Sequence, residues 1–514
     1  MALDPISGLN KYGCAPLERD VLALGSCTAS SPTGRALKAV HAAQADLLQA
    51  SRDGRLVEAS HEMMREIRMR VAASLRVDGV ENSRVVLTPS GTDAEMLATL
   101  LAAGDADEVL CNIVVAPSEV GSGTVLAAAG RHFDGETPRG GEGDVGVPVS
   151  PATSARIRVE TVPLRDGDGV VRSEATMDAA CTALAKKALG RGERVLLHLV
   201  AHSKTGAHAP SLECVRSLRD TAPDRVCVLV DAAQGRISRR GLKAALEEGW
   251  MVLFTGSKFY GGPPFSGALL IPASCCPNAV GLDSVPAGFR DYFTAGEQPT
   301  EWCATRSTLS QQPNLGLVLR WTAALAEIDA YYAIAPERRY EVLRFFEKVV
   351  VRVFSTCEYM RFEALPPPIS DDGETPLLES KQTVFSFYVR APHSGRELEM
   401  SALRRVFSWL NRDLSGLPLD LSEEARGVLK ARFHLGQPVA TSRDGERGLL
   451  RIALGAALLV ELAGPRDGAD GLDDRLEVFE RQLTRLRAKL GLIVDHFDAI
   501  ARHGEGAATE ESAE

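Results

Sequence analysis

Between Arg84 and Ile271 short apolar runs alternate with polar or helix-patterned stretches. The runs are Arg84–Thr88, Glu108–Val115, Arg156–Val162, Val195–Val200, Val226–Val230, Met251–Thr255 and Ala268–Ile271. Apolar runs without polar alternation suit strands covered on both faces. Helical spacing lies between several of them, at Asp93–Ala103, Glu174–Leu189, Ser211–Thr221 and Arg239–Glu248. This alternation predicts an α/β three-layer sandwich around a mostly parallel seven-stranded sheet. In such a sheet, ligands bind beyond the carboxyl ends of the strands.

With 514 residues the chain exceeds a single core. The expected division is an N-terminal segment of a small domain (1–60), a large domain (61–300), a small C-terminal α+β domain (301–503) and a disordered tail (504–514). The entry segment has a turn-rich stretch, Leu24–Gly34, and a helix from about Arg35 to Leu48. A second helix, Ser60–Leu75, puts Met63, Met64, Ile67, Val71 and Leu75 on one core-facing side. Phe133–Val149 is glycine-rich and acidic, an exposed loop. Ala287–Asn314 reads as irregular, Leu315–Tyr332 as helix, and Arg339–Phe354 as helix and strand. Ala364–Pro376 reads as a surface connection. Val384–Val389, Glu397–Leu414 and Leu449–Leu459 suggest the α+β part. A final amphipathic helix keeps three-four spacing from Leu476 to Ile500.

The net charge of −10 argues against a general nucleic-acid binder. No uncharged apolar run reaches about 18 residues, so no membrane span is expected. The N-terminus has no basic-then-apolar signal, which predicts a cytoplasmic protein. Ten cysteines without a CxxC pair read as free, mostly buried thiols, without structural zinc.

Chemistry concentrates at the ends of the runs. Val226–Val230 ends in Asp231, with Gln234 three residues on. Met251–Thr255 runs into "TGSKFYGGPP", where Lys258 follows Asp231 by 27 residues and Ser257 precedes it. A strand-end acid is commonly a helix cap, and a lysine is commonly a surface residue. Here glycines and prolines let the backbone turn sharply around Lys258, and a partly desolvated pocket would keep its amine neutral enough to form an imine. After Arg84–Thr88, Ser90, Gly91 and Thr92 open a helix, where free amides and the dipole favour a phosphate. The plainer alternative is a capping box from Thr92 and Glu95. His202, Ser203 and Thr205 crowd the end of Val195–Val200, as a polar site or as a turn before the next helix. A zinc site from His198, His202 and His208 is a weak competitor without HExxH.

The order of these parts is phosphate turn, strand-end hydroxyl, Asp-x-x-Gln, then Ser-Lys before a glycine-rich turn. Carried by "SGTDAE", "HSKTG", "VDAAQG" and "TGSKFYGGPP", it resembles the fold-type-I pyridoxal-phosphate enzymes, and within them the class-V aminotransferase and cysteine desulfurase group. The resemblance spans roughly Val85 to Pro272. It implies a pyridoxal 5'-phosphate cofactor and a small amino-acid substrate, consumed by amino-group transfer or by side-chain elimination or replacement. Lys258 would form the Schiff base and move the α-proton, and Asp231 would pair with the ring nitrogen. Ser203 and Gln234 would lie near the ring oxygen, with Ser90, Gly91, Thr92 and Ser257 around the phosphate. Arg451 would grip a substrate carboxylate, or else form an ordinary ion pair.

Two departures bear on the substrate. The loop Ala116–Thr124 has no aromatic residue to stack on the ring, so Glu119 or Val120 stands there. Cys357 sits in an apolar strand-like run, not in a glycine-rich loop, which disfavours a desulfurase. Glu119, Arg451 and Gln437, in the polar turn Phe433–Val439, are the candidate substrate contacts. By the same resemblance Cys303–Asn314 would reach the cofactor of a neighbouring subunit in a homodimer. The competing readings are a non-catalytic scaffold of the same fold and a Rossmann oxidoreductase. The oxidoreductase lacks GxGxxG after any early strand.

Overall fold

The computed structural model describes residues 3–5, 7–104, 108–275, 285–364, 381–391, 394–464 and 471–510, the side chains of 504–510 excepted. Most of the expected connection Ala364–Pro376 lies outside the described residues.

The apolar runs are strands: β1 (Leu22–Leu24), β2 (Arg84–Thr88), β3 (Leu110–Val115), β4 (Ile157–Val162), β5 (Arg194–Val200), β6 (Val226–Ala232), β7 (Met251–Thr255), β8 (Gly267–Ile271), β9 (Met360–Phe362), β10 (Val384–Val389), β11 (Phe433–Ala440) and β12 (Gly448–Ala453). β2 to β8 form one seven-stranded sheet in the order β2-β8-β7-β6-β5-β3-β4. Only β8 runs antiparallel to its neighbours. Buried on both faces, all of these strands but β4 carry Val, Leu and Ile in place of an alternating pattern, while the edge strand β4 is half-buried and alternates as IRVETV. Asp231 lies in register with Leu253 and Val200, so β5, β6 and β7 deliver their carboxyl ends to one edge. Among the described residues the mostly parallel α/β sandwich expected from the sequence is what forms.

A second sheet has the order β1-β11-β12-β10-β9. Its first member comes from the N-terminal segment and pairs in parallel with β11, Leu22 opposite Phe433. The helices Gly34–Arg52 and Leu56–Leu75 pack against the helix Leu315–Ala333. Glu327, fully buried on that helix, accepts from Arg35 at 2.6 Å and from Thr33 at 2.6 Å.

Three local readings change. Arg339–Phe354 holds no strand: the helix Pro336–Phe354 runs through it, and its apolar residues at Val342, Phe346, Val349, Val350 and Val353 are one buried helical side. Cys357 therefore follows a helix, buried in a turn. Phe433–Val439 belongs to strand β11, whose register against β12 shifts between Gly436 and Val439. Such a bulge is where a strand tolerates proline, here Pro438. The last helix runs Phe497–Glu510, across the first part of the tail read as disordered.

Candidate active site

A cavity of about 410 Å3 opens where β2, β6 and β7 end, walled on the far side by Arg451 of β12 and by the bulge at Gln437 and Pro438. Its floor is built by two turns. The first leads from β2 into the helix Gly91–Ala103. Ser90 is the N-cap: its Oγ accepts from the amide of Asp93 at 3.2 Å and donates to the Asp93 carboxylate at 2.5 Å. The capping box imagined between Thr92 and Glu95 is not made. Glu95 instead turns inward, accepting from Asn112 at 3.2 Å and lying 3.1 Å from Nε2 of the buried His198. Thr92 is thereby left at the cavity wall, and the amides of Gly91 and Thr92 have no acceptor among the described residues. A Cβ on Gly91 would sit 3.2 Å from the Leu253 side chain, so glycine keeps this turn close against β7.

The second turn follows β7. Gly256 and Gly262 pack against the helix Leu315–Ala333 so tightly that a Cβ on either would come within 2.6 Å of Ala324. That contact fixes the segment carrying Ser257 and Lys258. Thr255 donates to the carbonyl of Ala233 at 2.7 Å, and Ser257 donates to Thr255 at 3.3 Å. Asp231 accepts from the amide of Ala233 at 3.0 Å. Burial pushes the Lys258 ammonium below its ordinary range, with Asp231 opposing. Burial pushes the Asp231 carboxyl up, and the Ala233 amide and Lys258 oppose. A cation placed beside Asp231 would restore its charge.

Of the residues singled out in the sequence, Ser90, Gly91, Thr92, Asp231, Ser257, Lys258, Gln437 and Arg451 line this cavity. Arg451 is 2% exposed, and its guanidinium donates only to neutral oxygens. These are Thr28 Oγ1 at 2.8 Å, the Gln437 carbonyl at 2.6 Å and the Lys204 carbonyl at 3.0 Å. The alternative of an ordinary ion pair is not realised among the described residues.

Three expected contacts lie behind the wall. Glu119, 1% exposed, turns away from the cavity: Arg165 Nε donates to it at 2.6 Å, Ser203 Oγ donates at 2.8 Å, and Thr205 Oγ1 donates as well. It is therefore corrected from a substrate contact to a member of a buried network. Ser203 is spent on that same network. Gln234 Nε2 donates to the Cys27 carbonyl at 3.1 Å, and Gln234 Oε1 has no partner among the described residues. Val120 is a core residue, and Ser118, Gly121 and Ser122 occupy the wall in place of a stacking ring. The zinc reading fails on geometry: His202 and His208 meet edge to face at 4.8 Å while His198 pairs with Glu95. Among the described residues no group of three or more potential ligands could hold a metal.

The sequence reading passed over Tyr12, Thr28, Lys204, Thr255 and Phe265, which also line the cavity. Lys204 had a visible signal, a charge in the polar cluster after β5. Tyr12 and Thr28 had none, because parallel pairing of β1 with β11 brings them in from the N-terminal segment. Two non-glycine residues with left-handed backbone mark the surrounding loops, Ala116 (φ 52°) and Phe265 (φ 71°).

Solved structures with this architecture include a NifS-like protein, 14% identical, with a TM-score of 0.50 over 90% of this chain and 99% of the other. The cystine C–S lyase C-DES, in complex with its product cysteine persulfide, is 16% identical, with a TM-score of 0.54 over 90% of this chain and 97% of the other. A C-DES mutant with glycine covalently linked to the PLP cofactor is 15% identical, with a TM-score of 0.50 over 90% and 96%. The chain has the fold of the fold-type-I pyridoxal-phosphate-dependent enzymes. No family model and no curated protein matches the chain.

Proposed function

We propose that this chain is a pyridoxal-phosphate-dependent transferase or lyase acting on a small amino acid. One observation carries the reading: the amine of Lys258, the carboxylate of Asp231 and the open first turn of the helix Gly91–Ala103 face a single cavity. When bound, the cofactor supplies an electron sink for a carbanion at the substrate Cα. The amides of Gly91 and Thr92, with the hydroxyls of Thr92, Thr255 and Ser257, would hold its phosphate. Asp231 would hold the proton on the ring nitrogen. Lys258, its amine driven toward neutrality by burial, would provide the covalent anchor and later move a proton at Cα. Arg451, buried without a carboxylate partner among the described residues, would meet the substrate α-carboxylate through the N–H left over on Nη1 and its unbalanced charge. Ser203, whose hydroxyl donates to Glu119, keeps no donor for the ring oxygen, whereas Gln234 keeps an unpartnered Oε1 among the described residues beside its contact to the Cys27 carbonyl.

The C-DES structures, one with glycine covalently linked to its PLP cofactor, support the cofactor assignment by analogy of fold. The test is borohydride reduction after addition of pyridoxal 5'-phosphate. The expected result is a single reduced adduct mapped to Lys258, absent from Lys258→Ala. A protein that takes up no cofactor, or an adduct elsewhere, overturns the proposal. A panel of amino acids read by absorbance then separates transamination from elimination, and a scaffold would answer to none of them. The resemblance also carries a homodimer in which 303–314 of one copy approaches the other's cofactor, and sedimentation tests it.

A further inference from the structure

The charges lining the cavity do not balance. Lys204, Lys258 and Arg451 line it with a single acid, Asp231, among the described residues. On the reading above, Lys258 is consumed by its bond to the cofactor and Asp231 by the ring nitrogen. The phosphate is met by neutral amides and hydroxyls at the helix Gly91–Ala103. Two cations are left over, Lys204 and Arg451.

They are held as a pair. Arg451 Nη1 donates to the carbonyl of Lys204 at 3.0 Å, and the amide of Lys204 donates to the carbonyl of Glu119 at 2.8 Å. The backbone of Lys204 is therefore pinned from both sides while its side chain enters the cavity. Among the described residues its ammonium reaches only the Ser118 carbonyl, at a long 3.4 Å. The nearby carboxylate, Glu119, is unavailable, both of its oxygens being taken by Arg165, Ser203 and Thr205. Arg451 is buried and Lys204 half-buried, neither with a carboxylate partner among the described residues, and a ligand with two negative groups would complement both.

We propose that Lys204 and Arg451 read two anionic groups of one substrate, so that the substrate is an amino acid with an acidic side chain. This deepens the cofactor reading and rests on it. Arg451 takes the α-carboxylate and Lys204 the distal anion, against the Ser118 and Gly121 wall that carries no aromatic ring.

The test uses calorimetry on the full chain after borohydride reduction has fixed the cofactor, with succinate and glutarate against butyrate and valerate. The dicarboxylates should bind more tightly. Lys204→Met should weaken them by about ten- to hundredfold, the value of one charged hydrogen bond, and leave the monocarboxylates unchanged. Lys204→Arg should keep the dicarboxylate advantage. Yield of the Lys258 adduct serves as the control for folding and for the cofactor site. If the wild-type adduct does not form, the cofactor reading fails. If it forms and the dicarboxylates have no advantage, or if Lys204→Met weakens both ligand classes equally, the assignment of Lys204 is overturned. Loss of cofactor uptake in Lys204→Met would place Lys204 at the phosphate and overturn it as well.

Discussion

Lys204 and Lys258 are half-buried amines within one cavity, and their surroundings differ. Lys258 faces Asp231, which opposes the effect of burial. For Lys204 burial and the neighbouring cations Lys258 and Arg451 all act in one direction, outweighing the weaker opposing pull of Glu119 and Asp231, and its pKa falls to about 8. The sign follows directly: Lys204 is an ammonium below about pH 8 and a neutral amine above it. Dicarboxylate affinity should accordingly fall as pH rises through about 8, while monocarboxylate affinity stays level. Lys204→Arg should abolish the step, because a guanidinium stays charged across that range. Titration of ligand affinity from pH 6.5 to 9.5 checks both. At this scale the sequence was a partial guide. Lys258, Asp231 and Arg451 announce themselves because a charged residue beside an apolar run is conspicuous. The orientation of Glu119 was not legible, since it depends on Arg165, 46 residues away.

The helix Gly91–Ala103 serves both packing and binding, and Ser90 is where the two meet. Its side chain satisfies the amide of Asp93 and so fixes the first turn while leaving the amides of Gly91 and Thr92 open. Ser90→Ala should cost about 1 kcal/mol of stability in the cofactor-free protein, as loss of an N-cap does. Ser90→Gly should cost less, and thermal unfolding distinguishes the two. Strands and helices of the large sheet were readable because uninterrupted apolar runs and 3.6-residue spacing carry opposite signatures. β11 was not, because glycine, glutamine and proline sit inside it and the bulge that accommodates them depends on β12. The helix Pro336–Phe354 was half misread for another reason: it ends in a run of β-branched residues whose spacing is helical only when taken with the turns before it.

Across the whole molecule, the two sheets are joined behind the cavity by a buried charge network. Arg165, after β4, holds Glu119, after β3, at 2.6 Å and Glu363, after β9, at 2.8 Å. All three side chains are nearly inaccessible, from 0% to 8% exposed. Arg165→Met would strand two buried carboxylates and should destabilise the protein by about 3–5 kcal/mol. The urea midpoint measures it, and Glu363→Gln in the Arg165→Met background should recover part of the loss. None of this linkage was visible in the sequence: Glu119 stood out only as a candidate substrate contact, and Arg165 and Glu363 lie in separate stretches far from it. The same holds for the two-sheet arrangement, since periodicity reports each strand and says nothing of which strands meet.

The parallel pairing of β1 with β11 has a consequence in time. Leu22–Leu24 leaves the ribosome some four hundred residues before its partner Phe433–Ala440 exists. The large sheet can close once β8 is synthesised. Tyr12 and Thr28 can reach Arg451 and Gln437 only once β12 has been synthesised. The pocket is therefore assembled long after the large sheet, and a product truncated before β11 would carry the lysine and the acid but not the wall that selects a substrate.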